Sequence, residues 1–482
     1  MIEAPVNIAT LPLFDTNHRI GFVYHNVWEL FRAGNEQMKQ GLNGRYDKRG
    51  GTIPDTPTRG FLIDNLSEET STHLEYLSRI SDQRFSIWTS SDLTSLRGAL
   101  AVPYINTPTT ENYFQSAGID IWGPPALLVH NLKNKATSHA LAKPHSKNGF
   151  EVPEFTVCEL DDLEEAGQTF FTGVKKLYQQ TDLNHQYPPG LVIRGAESDG
   201  GHGGCQIVET ETGYKLFEDG ENKPQNKNYS LNESLKAARD YLLTTASAQT
   251  NIESRAVITR RMQLLDSPGL SILIKEGQYF SLGWNGQIDP KYGTASFGTQ
   301  TYLAPNPQAK EFQNQYEDSS AEDYFNFIKQ TSRDLNIPFE KVTGFFNVDL
   351  MIPGRLEQKL RGQLGLEEET IYYTESNPRW TNLNDAAMAV SWANKPTSKI
   401  TAAHIFEIIS NGLLTRDKVA LPPNTNLTRL RNDVESLDEY LRQELETRII
   451  LRMPSLPNAG FIFSGNTNFA ETALTKLISQ YY

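Results

Sequence analysis

The chain has 482 residues, of which 38% are hydrophobic and 21% are charged, and its formal net charge is −13. This length allows two to four domains with cores of their own, and the negative balance argues against nucleic acid as a partner, because phosphate binding needs a basic face. Two cysteines without a CxxC spacing argue against a disulfide scaffold or a zinc site. With no signal-peptide pattern and no apolar run of about 18 residues, we expect a cytoplasmic protein without a membrane partner.

The first part of the chain alternates short apolar runs with helical patterns. Strands are predicted at 20–24, 84–88 and 100–104, and helices at 27–42 and 72–80. Such alternation is typical of a small open α/β domain, which we expect over residues 1–125.

A second domain is predicted to begin after this alternation. Glycine and proline punctuate residues 118–125, and a helical pattern starts at Ala126. A basic stretch containing Lys135 then leads to Gly149 and Pro153. Taken alone, each lysine of this stretch is typical of a solvated side chain.

Residues 190–209 hold the most distinctive loop of the sequence. A strand pattern ends in Arg194, and four glycines within five positions precede a second strand that begins at Cys205. Glycine lets the backbone approach a ligand closely and turn its N–H groups toward an anion. Because the loop joins two strands and opens no helix, it is neither a P-loop nor a dinucleotide fingerprint. It fits a flap over nucleotide phosphates, or else a hairpin without a ligand.

The middle of the chain predicts an antiparallel run of strands between two helices. Ser230 and Glu233 form a capping box for a helix that ends near Ala248, and Ser319 and Glu322 predict a second cap for a helix over 321–335. Strands are predicted between them at 256–262, 270–275 and 279–284.

Two segments, 344–352 and 371–381, carry polar side chains on apolar, strand-like runs. In the second segment Glu375, Asn377 and Arg379 alternate, so an extended strand turns all three to one face. In the first, Asp349 is a charge among apolar residues, which is costly without a partner. Carboxylate and amide oxygens are ligands that magnesium takes, and an arginine can meet the anion that the metal holds. The two segments together predict a metal site, with a solvated acidic hairpin as the alternative.

After Asn382 the pattern becomes mainly helical, and we expect a mainly helical C-terminal region over residues 396–482. Helices are predicted at 401–409, 428–451 and 471–482, with a last strand at 460–463. The sequence shows no internal repeat.

The order of these motifs resembles the ATP-grasp superfamily of ligases over residues 134–381. The resemblance implies an α/β fold, α+β in part, in which two α+β subdomains over residues 126–395 grip a nucleotide. It also implies a small open α/β pre-ATP-grasp domain at residues 1–125, with ATP and Mg²⁺ as cofactors. Asp349 and Glu375 are 375 − 349 = 26 positions apart, longer than the usual hairpin of the family, so residues 353–369 are predicted to be an inserted helix or loop.

The resemblance also implies roles for individual residues. The metal ligands would be Asp349, Glu375 and Asn377, and the catalytic residues would be Arg379 and Arg194. The nucleotide-binding residues would be Lys135, Arg194, Gly200, Gly201, His202, Gly203, Gly204, Thr259, Arg260 and Met262, with the glycine flap over residues 197–205. Arg194 stands where a lysine is usual in the family, and the acid usual in the hinge strand is absent.

The implied function is an ADP-forming ligase that activates a carboxylate as an acyl-phosphate and joins it to an amine, as peptide ligases do. The expected partners are a carboxylate and an amine, each a small molecule or a peptide, and a homo-oligomer is compatible with the sequence. Two alternatives stay open at this point. One is a ligase that uses another nucleophile, and the other is a nucleotide-binding scaffold without catalysis, which the two departures favour.

Overall fold

The computed structural model describes residues 8–14, 17–26, 29, 53–145, 149–181, 183, 187–197, 204–218, 228–247, 254–287, 299–301, 307–394, 399–452, 456 and 458–482. The strands are β1 (Ile20–Tyr24), β2 (Thr58–Leu62), β3 (Ser86–Trp88), β4 (Leu100–Pro103), β5 (Asp120–Ile121), β6 (Phe155–Glu159), β7 (Gly190–Gly195), β8 (Gly204–Thr210), β9 (Gly213–Glu218), β10 (Arg255–Arg260), β11 (Leu264–Asp266), β12 (Gly269–Lys275), β13 (Gln278–Gln287), β14 (Thr299–Thr301), β15 (Gly344–Pro353), β16 (Tyr372–Asn377), β17 (Leu413–Ala420), β18 (Arg448–Leu451) and β19 (Asn458–Ser464). The α-helices are α1 (Glu68–Ser81), α2 (Pro108–Ser116), α3 (Ala126–Lys133), α4 (Lys135–Ala142), α5 (Leu163–Gln179), α6 (Leu231–Ser247), α7 (Pro307–Asp334), α8 (Arg355–Gln363), α9 (Asn382–Ala393), α10 (Ala402–Ser410), α11 (Leu427–Leu445) and α12 (Thr467–Ile478).

The N-terminal part is a parallel sheet in the order β3-β2-β1-β4-β5, so the predicted α/β class is confirmed for this part. Parallel strands bring their carboxyl ends to one edge. At that edge the amide of Asn26, after β1, donates to the carbonyl of Ile105 at 2.7 Å and to the hydroxyl of Thr110 at 2.8 Å. Strand β2 was not predicted, and the helix predicted at 27–42 lies, apart from residue 29, outside the described residues.

The second sheet is antiparallel, in the order β6-β10-β7-β8-β9. Helices α5 and α6 cover one face, where Ile193 and Ile258 are buried in a shared core. On the other face Val257 packs against Ala136 of α4, so this face looks toward the rest of the chain. The predicted capping box of α6 is confirmed, since the backbone of Ser230 donates to Glu233 at 2.8 Å.

The central sheet is largest and, within the described ranges, runs β11-β15-β12-β13-β14-β17-β19-β18, with β16 paired to β15. The side chains of β15 alternate between two environments. Phe346 and Val348 are buried against α7, beside Tyr324 and Ile328 of that helix. Because side chains of a strand alternate between faces, the residues between them point to the opposite side. That side carries Asp349 and faces the second sheet.

Helix α7 corrects one prediction. It runs without a break from Pro307 to Asp334, so Ser319 is an interior residue and the predicted cap with Glu322 was wrong. The hydroxyl of Ser319 donates to the carbonyl of Tyr316 at 3.3 Å, and that of Ser320 to the carbonyl of Gly149 at 2.6 Å. Both serine hydroxyls are therefore bonded to carbonyl groups, and neither caps the start of a helix. The inserted element predicted over residues 353–369 is confirmed as α8.

The C-terminal region is helical but also adds strands β17, β18 and β19 to the central sheet. The helix predicted over 428–451 was wrong at its end, because α11 stops at Leu445 and Glu446 adopts a left-handed conformation with φ of 50°. The next strand holds the β-branched Ile449 and Ile450, which are buried and favour extended backbone. Ile450 shares a core with Val102 of the N-terminal sheet, so the two ends of the chain pack together.

No helix in the described part of the chain is both long and apolar enough to cross a membrane. Both cysteines, Cys158 and Cys205, are free thiols.

Candidate active site

The register of β15 and β16 brings the predicted metal ligands together. Asp349 lies opposite Glu375, and Asn347 lies opposite Asn377, with a bulge just after Asp349. All four side chains belong to the face of the central sheet that points away from α7. The predicted trio of Asp349, Glu375 and Asn377 is therefore adjacent in space, although 26 positions separate its two acids.

The carboxylate of Asp349 is held by an amide on each side. Asn347 donates to one oxygen at 2.8 Å, and Asn377 donates to the other at 3.0 Å. Burial, followed by the charge of Glu375, raises the pKa of Asp349 to about 7. Asp349 is therefore a carboxylate with organised donors and no cation bonded to it among the described contacts.

Glu375 has the opposite electrostatic environment. The ammonium of Lys135 lies 2.9 Å from its Oε2. Burial alone would raise the pKa of Glu375, but the charges of Lys135 and Arg194 outweigh it and lower the pKa to about 2. Glu375 is thus firmly ionised beside a neighbour that is easily protonated.

Lys135 is placed by the start of α4. Asn134 caps this helix, since its side-chain oxygen accepts from the backbone of Thr137 at 3.0 Å. The backbone N–H of Lys135 donates to the carbonyl of Ala196 at 2.7 Å, directly after β7. The helix N-terminus and the strand that leads into the glycine loop therefore meet at Lys135.

His139 is a neighbour of this lysine that the sequence reasoning missed. Its Nδ1–H donates to the carbonyl of Lys135 at 2.8 Å, and its ring stands edge-on to Phe155 and Tyr373. Burial, with the charges of Arg194 and Lys135, lowers the pKa of His139 to about 4. The imidazole is therefore neutral near pH 7 and adds no charge to the site.

Arg194 lies on the face of the second sheet that looks toward the central sheet. We call the space between these two sheets the cleft. Its strand neighbour Ile193 is buried under α5 and α6, so alternation turns Arg194 to the other face, opposite Val257. Gly204 is the register partner of Arg194 on β8. The other predicted flap residues, Gly200, Gly201, His202 and Gly203, lie outside the described residues.

The predicted hinge residues lie on both faces of the second sheet and just beyond its strand β10. Thr259 shares the cleft face with Val257, whereas Arg260 points to the opposite face, where it donates to Glu357 of α8 at 2.7 Å. Met262 is buried just beyond the end of β10. The structure therefore brings Arg260 to the inserted helix and not to the acids of β15 and β16.

Arg379 lies past the end of β16, on the side of the acids away from the second sheet. Its Nη2 donates to the side-chain oxygen of Asn377 at 2.9 Å. Its guanidinium stands 6.0 Å from the ring centre of Tyr104, at the carboxyl edge of the N-terminal sheet. Arg379 also lines a small cavity with Asn106 and Trp380, between the N-terminal and central sheets. The site thus continues from the acids toward the N-terminal domain.

The residues present suit a magnesium ion. Magnesium takes one or two carboxylates and keeps its other positions for water and phosphate. Asp349 and Glu375 offer two carboxylates, and the oxygen of Asn377 is turned away from Asp349 toward Arg379. Within the described ranges there is no cluster of three or more His, Cys, Asp or Glu residues that could hold a metal. The donor set is therefore hard but incomplete, as a magnesium site with open positions requires.

Three further residues of this face were missed from the sequence. Asn347, Ser271 and Asn285 form a hydrogen-bonded group next to Asp349. Asn347 could have been found, because it precedes Asp349 by two positions and so shares its face. The other two come from β12 and β13, whose register cannot be read from the sequence.

No family model and no curated protein matches the sequence of this chain. Solved structures do match it. An N5-carboxyaminoimidazole synthase from Aspergillus clavatus, in complex with ADP and 5-aminoimidazole ribonucleotide, is 11% identical, with 96% of this chain and 99% of that chain covered and a TM-score of 0.49. A phosphoribosylamine–glycine ligase from Thermotoga maritima is 11% identical, with 96% of each chain covered and a TM-score of 0.48. A biotin carboxylase from Campylobacter jejuni is 10% identical, with 96% and 91% covered and a TM-score of 0.47. In all three the aligned region spans nearly the whole of this chain.

Proposed function

We propose that this chain is an ATP- and Mg²⁺-dependent, ADP-forming ligase of the ATP-grasp type that joins a carboxylate to an amine. One observation carries the proposal. Asp349 and Glu375 lie opposite each other on neighbouring strands, and cationic side chains from three separate parts of the fold converge on them. Two half-buried acids with cations around them form a binding site for a metal and an anion together.

The metal would be held by the carboxylates of Asp349 and Glu375, and Asn377 would join them by turning its amide oxygen from Arg379 to the metal. When bound there, Mg²⁺ neutralises negative charge on the terminal phosphates of ATP. The ion would also relieve the repulsion between the two carboxylates, because it gives both a shared counter-charge.

The cations would act on the transferred phosphoryl group from opposite sides. Lys135 and Arg194 face the cleft from α4 and β7, where they would neutralise charge as it develops. Arg379 approaches from the side that faces the N-terminal sheet, and its planar fork can bind two oxygens of an acyl-phosphate at once. Fixed charges of this kind stabilise a transition state without reorganisation.

The proposed reaction balances without a catalytic triad. A carboxylate oxygen of the acid attacks the γ-phosphorus of ATP, and the bond to the bridging oxygen breaks, so ADP leaves. The amine nitrogen then attacks the acyl carbon, the bond to phosphate breaks, and the amine proton passes to solvent. Phosphoryl transfer depends mainly on positioning and charge. This agrees with a neutral, engaged His139 and with free cysteines that pack in the core under α5 and α6.

We further propose a division into a pre-ATP-grasp domain at residues 1–125, an ATP-grasp core at 126–395 and a C-terminal region at 396–482. Because β17, β18 and β19 continue the central sheet, the last region would fold with the core. The partners would be a carboxylate and an amine, each a small molecule or a peptide.

The test is a screen for ADP release. The purified protein is incubated with ATP, Mg²⁺ and arrays of carboxylic acids and amines, with ¹⁸O in the carboxyl group of any active acid. We expect ADP release that requires the acid, a product that contains the amine, and ¹⁸O in the released phosphate. ADP release that requires a thiol or a hydroxyl compound in place of the amine would assign another nucleophile. Binding of ATP without ADP release from any pair would contradict the proposal and favour a scaffold.

A further inference from the structure

A buried group of polar side chains lies beside the proposed metal site. We call it the amide ledge, and it consists of Ser271 on β12, Asn285 on β13 and Asn347 on β15. Their exposed fractions are 0%, 6% and 4%. Buried polar groups cost free energy unless they are hydrogen-bonded, so their presence on this face needs an explanation.

The hydrogen bonds of the ledge fix the orientation of one amide. The side-chain oxygen of Asn347 accepts from the hydroxyl of Ser271 at 2.9 Å and from the amide of Asn285 at 2.9 Å. An ionised carboxylate only accepts, so Asp349 takes the nitrogen end of Asn347, and the oxygen end faces Ser271 and Asn285. The nitrogen end is therefore the one that donates to Asp349, at 2.8 Å.

The backbone below the ledge leaves space for it. Gly269 is the register partner of both Asp349 and Asn285. A Cβ at this glycine would stand 2.6 Å from the side-chain oxygen of Asn285 and 3.0 Å from that of Asn347. The first distance is shorter than a real contact, so a side chain at this position would displace the amide of Asn285 from the ledge.

Asp349 is consequently held on both sides. Asn347 binds one carboxylate oxygen and Asn377 binds the other. Each carboxylate oxygen has two lone pairs, so each keeps one that the two amides do not use. The carboxylate plane is fixed before any ligand arrives.

We propose that Ser271, Asn285 and Asn347 are positioning residues for Asp349, and that they fix its carboxylate in the orientation that binds the metal. The inference rests on the proposed function, because it takes Asp349 to be a metal ligand. Partners of this kind, which bind a ligand and not the metal, typically change metal affinity by about 10–100-fold when they are removed. A purely structural role would change the stability of the fold and leave metal affinity as it is.

The test measures Mn²⁺ binding by electron paramagnetic resonance in the presence of ADP. Asn347→Leu keeps the size of the side chain and removes its hydrogen bonds. We expect its Kd for Mn²⁺ to rise about 10-fold or more. The matched control is Asn384→Leu, since Asn384 is also buried and its amide has no hydrogen-bond partner among the described residues. The control should bind Mn²⁺ as the unmodified protein does.

A double variant tests whether Ser271 acts through Asn347. We expect Ser271→Ala to weaken Mn²⁺ binding in the unmodified background and to add nothing in the Asn347→Leu background. Melting temperatures measured by circular dichroism without metal separate loss of folding from loss of affinity. If Asn347→Leu does not fold, Ser271→Ala and Asn285→Ala carry the same test.

The outcomes separate this inference from the proposed function. If the unmodified protein binds Mn²⁺ and Asn347→Leu binds it equally well, the positioning role is wrong and the ligase proposal stands. If the unmodified protein binds no Mn²⁺ with ADP, both are wrong. An effect of Ser271→Ala that persists in full without Asn347 would also overturn the positioning role, because it would act by another route.

Discussion

At the scale of single residues, the site depends on two acids with opposite electrostatic environments. The pKa of Asp349 is raised to about 7 by burial and by Glu375, while the cations around Glu375 lower its pKa to about 2 despite burial. Two neighbouring carboxylates whose pKa values are pushed apart titrate as a pair. A divalent cation would let both be ionised, so its binding should displace a proton from Asp349.

Metal affinity should therefore depend on pH near neutrality. As the pH falls through about 7, Asp349 takes up a proton that competes with the metal. With one competing proton we expect Mg²⁺ to bind about tenfold more weakly at pH 6 than at pH 8. Calorimetric titration of the nucleotide-free protein measures this. Asp349→Asn is the control, since its residual affinity should not change over that range, and a pH-independent affinity in the unmodified protein would contradict the account.

A substitution at Arg379 distinguishes a role in catalysis from a role in the stability of the fold. Its guanidinium binds the oxygen of Asn377, and a lysine there would keep the charge but lose the two-pronged geometry. We expect Arg379→Lys to bind ATP normally and melt normally, while acid-dependent ADP release falls roughly 10²-fold. Arg429→Lys, at an exposed position on α11, is the matched control. A variant that melts earlier but keeps its rate per folded molecule would assign Arg379 a structural role.

At the scale of elements, one tyrosine links β15 and β16 on the face of the sheet that packs against α7. The hydroxyl of Tyr324 on α7 lies 3.0 Å from the carbonyl of Asn347 and 2.5 Å from the hydroxyl of Ser376. Helix α7, which carries Tyr324, thus contacts both strands that hold the proposed ligands. The register of Asp349 against Glu375 depends on this contact as well as on the ladder itself.

Removal of that hydroxyl should destabilise the protein. Tyr324→Phe leaves buried partners without their hydrogen bonds, at a cost of about 1–3 kcal/mol in the free energy of unfolding. Urea denaturation measures it. Tyr440→Phe on α11, at a side chain that is 56% exposed, should change stability by no more than about 0.5 kcal/mol. Equal effects of the two substitutions would show that the buried hydroxyl does not join the strands.

The elements also show what the sequence could and could not predict. Alternation of apolar residues was enough to predict β15 and β16 and to turn Glu375 and Asn377 to one side. It did not place Arg379, because β16 ends at Asn377 and the backbone turns before Arg379. The helix predicted over 428–451 failed at its end, because a left-handed turn at Glu446 starts a strand and the local helical pattern does not show the turn. Ser271 and Asn285 were missed because their proximity to Asp349 depends on strand order, which no local pattern reports.

At the scale of the whole molecule, the N-terminal sheet and the C-terminal strands share one core. Val102 of β4, Leu383 of α9 and Ile450 of β18 belong to it. Arg379 lies where this shared core borders the central sheet, and it lines a cavity with Asn106 of the N-terminal part. The sequence did not predict this shared core, because long-range packing leaves no periodic signal in the chain.

The balance of charge is also uneven over the molecule. The chain carries a net charge of −13, yet Lys135, Arg194 and Arg379 meet around the two acids. A negative surface repels ATP and attracts Mg²⁺ at a distance, so anion binding must come from this local group. Nucleotide affinity should therefore depend on the metal.

The most direct test of the central claim is a calorimetric titration with ATP, performed with Mg²⁺ and again with a chelator. The unmodified protein should bind ATP more tightly with Mg²⁺. Glu375→Gln removes one charge from the proposed metal site with little change in shape, and it should lose that gain. Glu439→Gln, at an exposed glutamate on α11, should keep it. ATP binding that responds to Mg²⁺ equally in the unmodified protein and in Glu375→Gln, or no ATP binding at all, would contradict the account.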